Sequence, residues 1–257
     1  MVNVTVKDIY VGDIVRINIT APADYNGTAV VNVGGANYTA TITNGVGFVE
    51  VAKLAQGNYD VNVTLAENEK YGAYVNDTVS FNVYKRDSQV TVDFANITVG
   101  ENAVFIVTVS DFGNLTITIA GKDTVVAVKS GENRIIIPDL KVGTHEVVVR
   151  YSGNYKYLAN VTDARYINVN RTKTVPEDFK INDTGNGTII ITAPENVTGN
   201  ITVVINGENK TVNITNGTAV INILNITNAT PGVNNITIIY SGDENNTNAT
   251  FNTTVMI

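Results

Sequence analysis

The side chains with the most obvious chemical potential are few. His145 is the only histidine among 257 residues, and cysteine is absent. One histidine without cysteine cannot make a usual zinc site, nor a histidine-based catalytic triad in more than one domain. No disulfide and no thiolate metal site can form either. We therefore expect no enzyme activity and no cofactor.

Carboxylates are more numerous, but their spacing indicates no ion-binding loop. None stands in the Asp-x-Asp-x-Asp-Gly arrangement that wraps calcium. Asp243-Glu244 could bind calcium weakly with backbone carbonyls, but we favour an ordinary polar loop. Paired glycosidase carboxylates cannot be located from this pattern. The carboxylates considered are Asp8, Asp13, Asp24, Glu101, Asp111, Asp139, Asp243 and Glu244.

Asparagine two residues before threonine is the densest motif, for example at Asn18, Asn96 and Asn213. This motif accepts a glycan only in a secreted protein whose host has the transferase. Composition offers a second explanation, because threonine suits strands and asparagine suits turns. Both explanations stay open.

Tyrosines are the remaining candidates, because exposed aromatic rings can form platforms for sugars. The pair Tyr155 and Tyr157 lies in one predicted loop, and we predict these two residues as possible glycan contacts. The full set of candidate platforms is Tyr10, Tyr25, Tyr38, Tyr71, Tyr74, Tyr155 and Tyr157.

The elements that must position these side chains follow from one recurring stretch. It begins at Gly57, Gly143 and Gly232, about 86 and 89 residues apart, and each copy places larger residues at every second position. That period indicates a β-strand with one buried face. The spacing predicts a tandem array with domains at residues 1–86, 87–172 and 173–257.

Turn residues divide each repeat into about seven short strands, which predicts three tandem antiparallel β-sandwiches. Asn44-Gly45, and Asn216-Gly217 at the matching place, predict tight hairpins because both residue types tolerate positive φ. Gly113-Asn114 is predicted to be another turn. No helical period extends beyond a single turn.

Charge and hydropathy exclude several classes of partner. The formal net charge is −7 and no run of basic residues occurs, so neither nucleic acid nor anionic lipid is an expected partner. No segment approaches the roughly 20 apolar residues that span a bilayer, and no signal-peptide pattern occurs at the start. We expect an extracellular, cell-surface segment whose signal and anchor lie elsewhere.

The repeats share further motifs that resemble a known family. Val11-Gly12-Asp13 matches Val99-Gly100-Glu101, and the pair Tyr151-Ser152-Gly153-Asn154-Tyr155 and Tyr240-Ser241-Gly242-Asp243 closes two repeats. Nearly the whole chain resembles the bacterial immunoglobulin-like repeats of large surface proteins. Its Asn/Thr-rich, cysteine-free style resembles the adhesin-like proteins of methanogenic archaea. The resemblance implies an immunoglobulin-like fold in a stalk or adhesive segment, without catalytic residues.

Immunoglobulin-like sandwiches often carry a corner tyrosine that bonds across a loop. Tyr59 and His145 occupy that place in the first two repeats, and Asn234 in the third. We predict a structural role for this position.

The function expected is that of a monomeric, semi-rigid rod that acts as a stalk or adhesion surface. Its partner would be an unknown surface protein or glycan of another cell. One alternative is a carbohydrate-binding module, which needs exposed aromatic platforms. The other is a surface-layer or fibre subunit, whose edge strands would join neighbouring chains.

Overall fold

The computed structural model describes residues 2–226 and 230–257, and strands dominate it. Two short 3₁₀ turns, at Pro176–Asp178 and Ile223–Asn225, are the only helical segments within those ranges. The strands in chain order are β1 Asn3–Thr5, β2 Ile9–Tyr10, β3 Val15–Thr20, β4 Gly27–Val33, β5 Ala36–Ile42, β6 Val46–Val51, β7 Gly57–Leu65, β8 Tyr74–Tyr84, β9 Val90–Asp93, β10 Ile97–Thr98, β11 Ala103–Val109, β12 Gly113–Ile119, β13 Lys122–Val128, β14 Gly131–Ile137, β15 Gly143–Tyr151, β16 Asn160–Val161, β17 Arg165–Asn170, β18 Lys180–Asp183, β19 Thr188–Thr192, β20 Asn200–Ile205, β21 Glu208–Asn213, β22 Thr218–Asn222, β23 Val233–Tyr240 and β24 Ala249–Met256.

Alternation of apolar and polar residues explains why these segments form half-buried strands. In β3, Val15, Ile17 and Ile19 are buried while the residues between them are exposed. Successive side chains of a strand point to opposite faces, so this pattern places one face in a core and the other in water. Branched side chains pack well on such a pleated surface.

The strands pair in one order that recurs along the chain. The first repeat has a sheet β1-β3-β6 and a sheet β2-β8-β7-β4-β5, and the second has β14-β11-β9 and β10-β17-β15-β12-β13, with β16 on β15. The third has β18-β19-β22 and β21-β20-β23-β24. Within the described residues, the sheets are antiparallel except for the short parallel pairs β2–β8 and β10–β17. Division of each repeat between two such sheets is the immunoglobulin-like arrangement. The predicted fold class, three all-β sandwiches of this type, is confirmed.

Two compact units divide the chain, and each has its own core. The first comprises Met1–Asp93, Ile106–Arg134 and Val147–Arg165. In it, buried residues from both sheets of the first repeat form one cluster, with Ile17 on one sheet and Val63 on the other. The second unit comprises Phe94–Phe105, Ile135–Glu146 and Tyr166–Ile257. Its cluster joins residues of β19 and β22 with residues of β20 and β23.

The predicted Asn-Gly turns are present, but each hairpin consists of a single hydrogen-bonded residue pair. Asn44 and Gly45 have φ of 50° and 77°, and Thr43 and Val46 exchange both backbone hydrogen bonds around them. Beyond that pair, β5 and β6 join different sheets. The turn at Asn216-Gly217 likewise connects β21 and β22, which also join different sheets. These turns therefore carry the chain from one layer of the sandwich to the other.

The predicted turn at Gly113-Asn114 is wrong, because both residues begin β12. Gly113 serves close packing instead. A Cβ at this position would lie 2.7 Å from Cε2 of Tyr151 and 3.0 Å from the carbonyl oxygen of Gly153. Glycine is therefore the residue that lets β12 start beside the buried tyrosine ring.

Candidate functional site

Three loops of matching design follow β7, β15 and β23, and we call residues 66–73, 152–159 and 241–248 the closing loops. Each contains an Asn or Asp whose Oδ1 accepts two backbone N–H groups a few residues ahead. Asn154 accepts from Lys156 at 2.8 Å and from Tyr157 at 3.0 Å. Asn68 accepts from Lys70 at 2.9 Å and Tyr71 at 2.8 Å. Such side-chain-to-backbone bonds fix a loop without a regular ladder.

Asp243 is the counterpart in the third closing loop, and its carboxylate is more heavily used. Oδ1 accepts the N–H groups of Asn245 at 2.9 Å and Asn246 at 2.7 Å. Oδ2 accepts the Thr198 N–H at 2.9 Å and the Thr198 hydroxyl at 3.2 Å. Burial acts to raise the pKa of Asp243, but hydrogen bonds from these amides outweigh it and hold the pKa well below the usual range.

The second closing loop binds the segment that leaves the first repeat. The Arg86 N–H donates to the Lys156 carbonyl at 2.9 Å, and the Leu158 N–H donates to the Arg86 carbonyl at 2.9 Å. Arg86 and Tyr157 thereby form an isolated parallel β-bridge. This first joint lies wholly within the first compact unit.

The third closing loop binds the segment that leaves the second repeat in the same way. The Thr172 N–H donates to the Asn245 carbonyl at 2.7 Å, and the Thr247 N–H donates to the Thr172 carbonyl at 3.0 Å. Thr172 and Asn246 form the corresponding parallel bridge. A further bond joins the Thr174 N–H to the Thr247 hydroxyl at 3.0 Å. This second joint lies within the second compact unit.

Side chains reinforce the first joint. Arg86 forms an ion pair with Asp13, and its guanidinium carbon lies 5.0 Å from the centre of the Tyr10 ring. Tyr10 in turn packs near Tyr84, with 6.4 Å between ring centres. Both charged side chains are about 40% exposed, and exposed ion pairs contribute little to stability. These side-chain contacts belong to the first joint, whereas the parallel backbone bridge is present in both joints.

The first closing loop carries a polar cluster made by Asp24, Lys70 and Tyr71. Asp24 pairs with Lys70 and accepts the Tyr71 hydroxyl at 2.5 Å. The hydrogen bond from Lys70, followed by that from Tyr71, lowers the pKa of Asp24 to about 2. The cluster ties this closing loop to the segment between β3 and β4.

The predicted corner residues each reach a carbonyl four residues upstream. Tyr59 donates its hydroxyl to the Ala55 carbonyl at 3.0 Å. His145 places Nε2 2.7 Å from the Lys141 carbonyl oxygen, which can only accept, so Nε2 is the donor. Asn234 donates from Nδ2 to the Thr230 carbonyl at 2.6 Å. Three side chains of different chemistry thus form the same kind of hydrogen bond, each to the corresponding loop of its own repeat.

The structure separates the two predicted glycan contacts. Tyr155 is 65% exposed, and its ring lies 6.1 Å from that of Phe112, which is also exposed. Tyr157 is half-buried and takes part in the first joint. Tyr25 was a further candidate platform, and that prediction is wrong because only 2% of its surface is exposed.

Two buried tyrosines have a role that sequence reasoning missed. Tyr151 donates its hydroxyl to the Phe112 carbonyl at 2.8 Å, which links the end of β15 to the turn before β12. In the first repeat Leu65 takes the place of Tyr151. There Tyr25 comes from the opposite side and donates to the Ala66 carbonyl at 2.5 Å. The Tyr-Ser-Gly motif marks the first arrangement, but no local motif marks the second.

Metal chemistry finds no support within residues 2–226 and 230–257, where no three His, Cys, Asp or Glu side chains are grouped to hold an ion. The Asp243-Glu244 loop was the one considered for calcium. Its Asp243 oxygens already accept the N–H groups described above. In the same described ranges, no helix has the length and apolarity needed to cross a bilayer.

Comparison with known proteins gives structural likeness alone. No family model matches the chain, and no curated protein matches it. A structure of a 1.5-MDa bacterial ice-binding adhesin, concerned with host cell surface retention, aligns over 100% of this chain and 96% of its own at 16% identity, with a TM-score of 0.36. Fibronectin(III)-like modules of Clostridium thermocellum CbhA align over 66% and 94% at 13% identity, with a TM-score of 0.29. Chicken CNTN1 FN1–FN3 domains align over 99% and 98% at 11% identity, with a TM-score of 0.27.

All three TM-scores are low, so the immunoglobulin-like assignment rests on the strand order within this chain.

Proposed function

We propose that the chain is a non-catalytic, extracellular segment of a cell-surface adhesin-like protein, in which three domains at residues 1–86, 87–172 and 173–257 act as a spacer with ordered joints. The observation that carries the proposal is the bridge repeated at Arg86–Tyr157 and Thr172–Asn246. A chain whose domains worked independently would have no need to bond each linker to the next closing loop.

The joints restrict motion through backbone bonds. A short linker without such bonds behaves as a flexible tether, and relative motion of domains is then the default. Here one residue of each linker gives both its N–H and its C=O to the following closing loop. Fixing that residue removes the two softest dihedral angles at the point where the chain would bend. A spacer that must hold a distance requires this restriction.

The composition suits a cell-surface setting. The net charge is −7 with few basic residues, which keeps a surface soluble without attracting nucleic acid. Solvent-facing sites are often Asn or Thr, as with Asn18 and Thr20 in β3. We also propose that the chain is related to the adhesin-like proteins of methanogenic archaea, which its Asn/Thr-rich, cysteine-free composition resembles. We further expect a monomer whose partner is a surface protein or glycan of another cell.

Small-angle X-ray scattering at several concentrations tests the proposal. We expect a concentration-independent profile with a maximum dimension on the order of 100 Å, taking about 3.3 Å per strand residue. The variant Thr172→Pro removes the N–H that bonds Asn245 and should broaden the distance distribution. Lys173→Pro is the matched control, because no hydrogen bond of the Lys173 N–H occurs in the described part of the chain.

Three results would contradict the proposal. A compact particle would mean that the domains fold against one another. Growth of the particle with concentration would favour the fibre-subunit alternative. An unchanged profile for Thr172→Pro would show that the bridge does not hold the joint.

A second candidate function, glycan binding, is favoured by the exposed ring pair Phe112 and Tyr155. Paired aromatic faces offer a platform for the apolar face of a sugar. Titration calorimetry against a panel of oligosaccharides should show binding that Tyr155→Ala abolishes. Tyr166→Ala is the control, because Tyr166 is similarly exposed at 60% but has no ring partner within the described residues. Equal loss in both variants would remove this candidate.

A further inference from the structure

The first closing loop has the same internal geometry as the other two. The Asn68 N–H donates to the Tyr71 carbonyl at 2.8 Å, as the Asn154 N–H does to Tyr157 at 3.0 Å and the Asp243 N–H does to Asn246 at 3.1 Å. When the three loops are aligned, the Lys70 carbonyl corresponds to the carbonyls of Lys156 and Asn245, which accept the linker N–H. The Gly72 N–H corresponds to the N–H groups of Leu158 and Thr247, which donate to the linker carbonyl. The loop is therefore shaped to take a linker residue.

Those two groups are unpaired in the described part of the chain. The Lys156 carbonyl and the Leu158 N–H both bond Arg86, and their third-repeat equivalents both bond Thr172. By contrast, no backbone bond of the Lys70 carbonyl or the Gly72 N–H occurs among residues 2–226 and 230–257. An extended edge with a free donor and acceptor is a template for pairing with another strand.

A cavity lies beside this unpaired edge. Its volume is about 430 Å³, and the residues that line it include Val2, Pro22, Leu65, Tyr71 and Tyr74. The lining is mostly apolar, and the Tyr25 hydroxyl in the wall is already bonded to Ala66. Binding sites for peptides combine backbone bonds, which give affinity, with such pockets, which select side chains.

The polar cluster holds the edge in place. Asp24 pairs with Lys70 and accepts the Tyr71 hydroxyl. The side chains of Lys70 and Tyr71 are therefore both directed to the segment between β3 and β4. Lys70 and Gly72, which carry the two unpaired groups, are exposed, and Tyr71 between them is half-buried. A preformed edge of this kind loses little conformational entropy when a strand binds.

We propose that the Lys70–Gly72 edge is a peptide-binding slot for one extended segment of the kind seen at residues 84–88 and 170–174, supplied by another repeat of this type. The bound residue runs parallel to Tyr71. Its N–H donates to the Lys70 carbonyl, and its carbonyl accepts the Gly72 N–H. An adjoining side chain enters the cavity. The inference rests on the proposed function, because the two occupied joints supply the ligand's identity.

Titration of the full, uniformly ¹⁵N-labelled chain with a synthetic peptide of residues 168–176 tests the slot. The Gly72 amide signal should shift downfield and exchange more slowly, with half-saturation on the order of 1 mM because few bonds form. Leu158 and Thr247 should not respond, since their N–H groups are already bonded. A peptide N-methylated at the Thr172 position is the matched ligand control and should bind at least about tenfold more weakly.

Variants of the slot complete the test. Gly72→Pro lacks the donor N–H, so its response is followed at the neighbouring Tyr71 and Ala73 amides, where the peptide-induced shifts should be lost. Gly72→Ala keeps the N–H and the response, and its Cβ meets no atom within 4 Å. No shift at Gly72 at about 10 mM peptide, or an equal response to the N-methylated peptide, would overturn the slot. Peptide binding without an extended scattering profile would remove only the spacer proposal. The reverse result would remove only the slot.

Discussion

Replacing Asp243 by asparagine probes the hydrogen bonds that organise the third closing loop. The new side chain can keep Oδ1 on the Asn245 and Asn246 amides, as Asn154 does on its own neighbours. Its Nδ2 then faces the Thr198 N–H, which lies 2.9 Å from Oδ2 in the parent chain. Two donors would then face each other at the place where the Asp243 carboxylate accepts a hydrogen bond.

The expected loss follows from the bonds that change. A hydrogen bond to a charged group contributes about 1.5–3 kcal/mol, and the Thr198 N–H is left without a partner in the variant. We expect Asp243→Asn to lower the free energy of unfolding of the third repeat by about 2 kcal/mol at neutral pH. For a domain of this size that corresponds to a fall in Tm on the order of 10 °C.

The pH dependence distinguishes this mechanism from simple loss of packing. The folded-state pKa of Asp243 lies below the ordinary value of 3.8, so its stabilising effect is complete above that value. The effect is lost as pH falls through the lower, folded-state pKa. The difference in stability between the parent chain and Asp243→Asn should therefore be constant from about pH 7 to 5 and shrink steadily below about pH 4.

Differential scanning calorimetry of the full chain, combined with hydrogen exchange of the β20 and β23 amides, measures the effect in the third repeat. Glu195→Gln is the control, because it removes one charge from an exposed residue of the same repeat and should change stability by less than about 0.5 kcal/mol. A loss that is equal at pH 7 and at about pH 2, or equal in the control, would refute the reasoning.

Three further substitutions test packing and hydrogen bonding elsewhere. Gly113→Ala places a Cβ 2.7 Å from Tyr151 and should cost about 1–3 kcal/mol in chemical unfolding, whereas Gly72→Ala should be neutral; equal effects would contradict the packing argument. Tyr151→Phe removes one of the two hydrogen bonds to the Phe112 carbonyl, since Asn154 Nδ2 also donates to it at 2.9 Å, and should cost about 1 kcal/mol in the same assay, with no change in strand content by circular dichroism. Asn234→Ala removes both bonds that its Nδ2 donates and should cost about 2 kcal/mol by calorimetry; a cost near zero would show that water replaces the amide.

The sequence predicts the long strands well because they carry a clear period. The predicted strand Tyr59–Leu65 corresponds to β7, and Ala249–Met256 coincides with β24. The two-residue strands β2 and β10 were not predicted. Two residues cannot display an alternation, and both strands exist because they pair with the far end of the same repeat.

The joints could not be predicted, because they are made by backbone groups. Arg86 and Thr172 occupy equivalent places and share no side-chain chemistry. The sequence also could not show that Tyr25 in the first repeat does what Tyr151 does in the second. The two residues lie on different segments and fill the same kind of space from opposite sides, so a comparison of repeats at matching positions shows only a missing tyrosine.

The short parallel strands have a mechanical consequence. In the first two repeats an early strand lies parallel to the last strand, with Ile9 beside Val83 and Ile97 beside Val169. Force applied at the two ends of such a repeat pulls these neighbours in opposite directions, so their hydrogen bonds are sheared together rather than opened one by one. Within its described residues the third repeat has no such pair. There it keeps only the side-chain bond from Asp183 to the Met256 N–H, which corresponds to the bonds of Asp8 and Asn96 in the first two repeats. When the chain is pulled at its ends, for example in a single-molecule force experiment, we expect the third repeat to yield at a lower force than the first two.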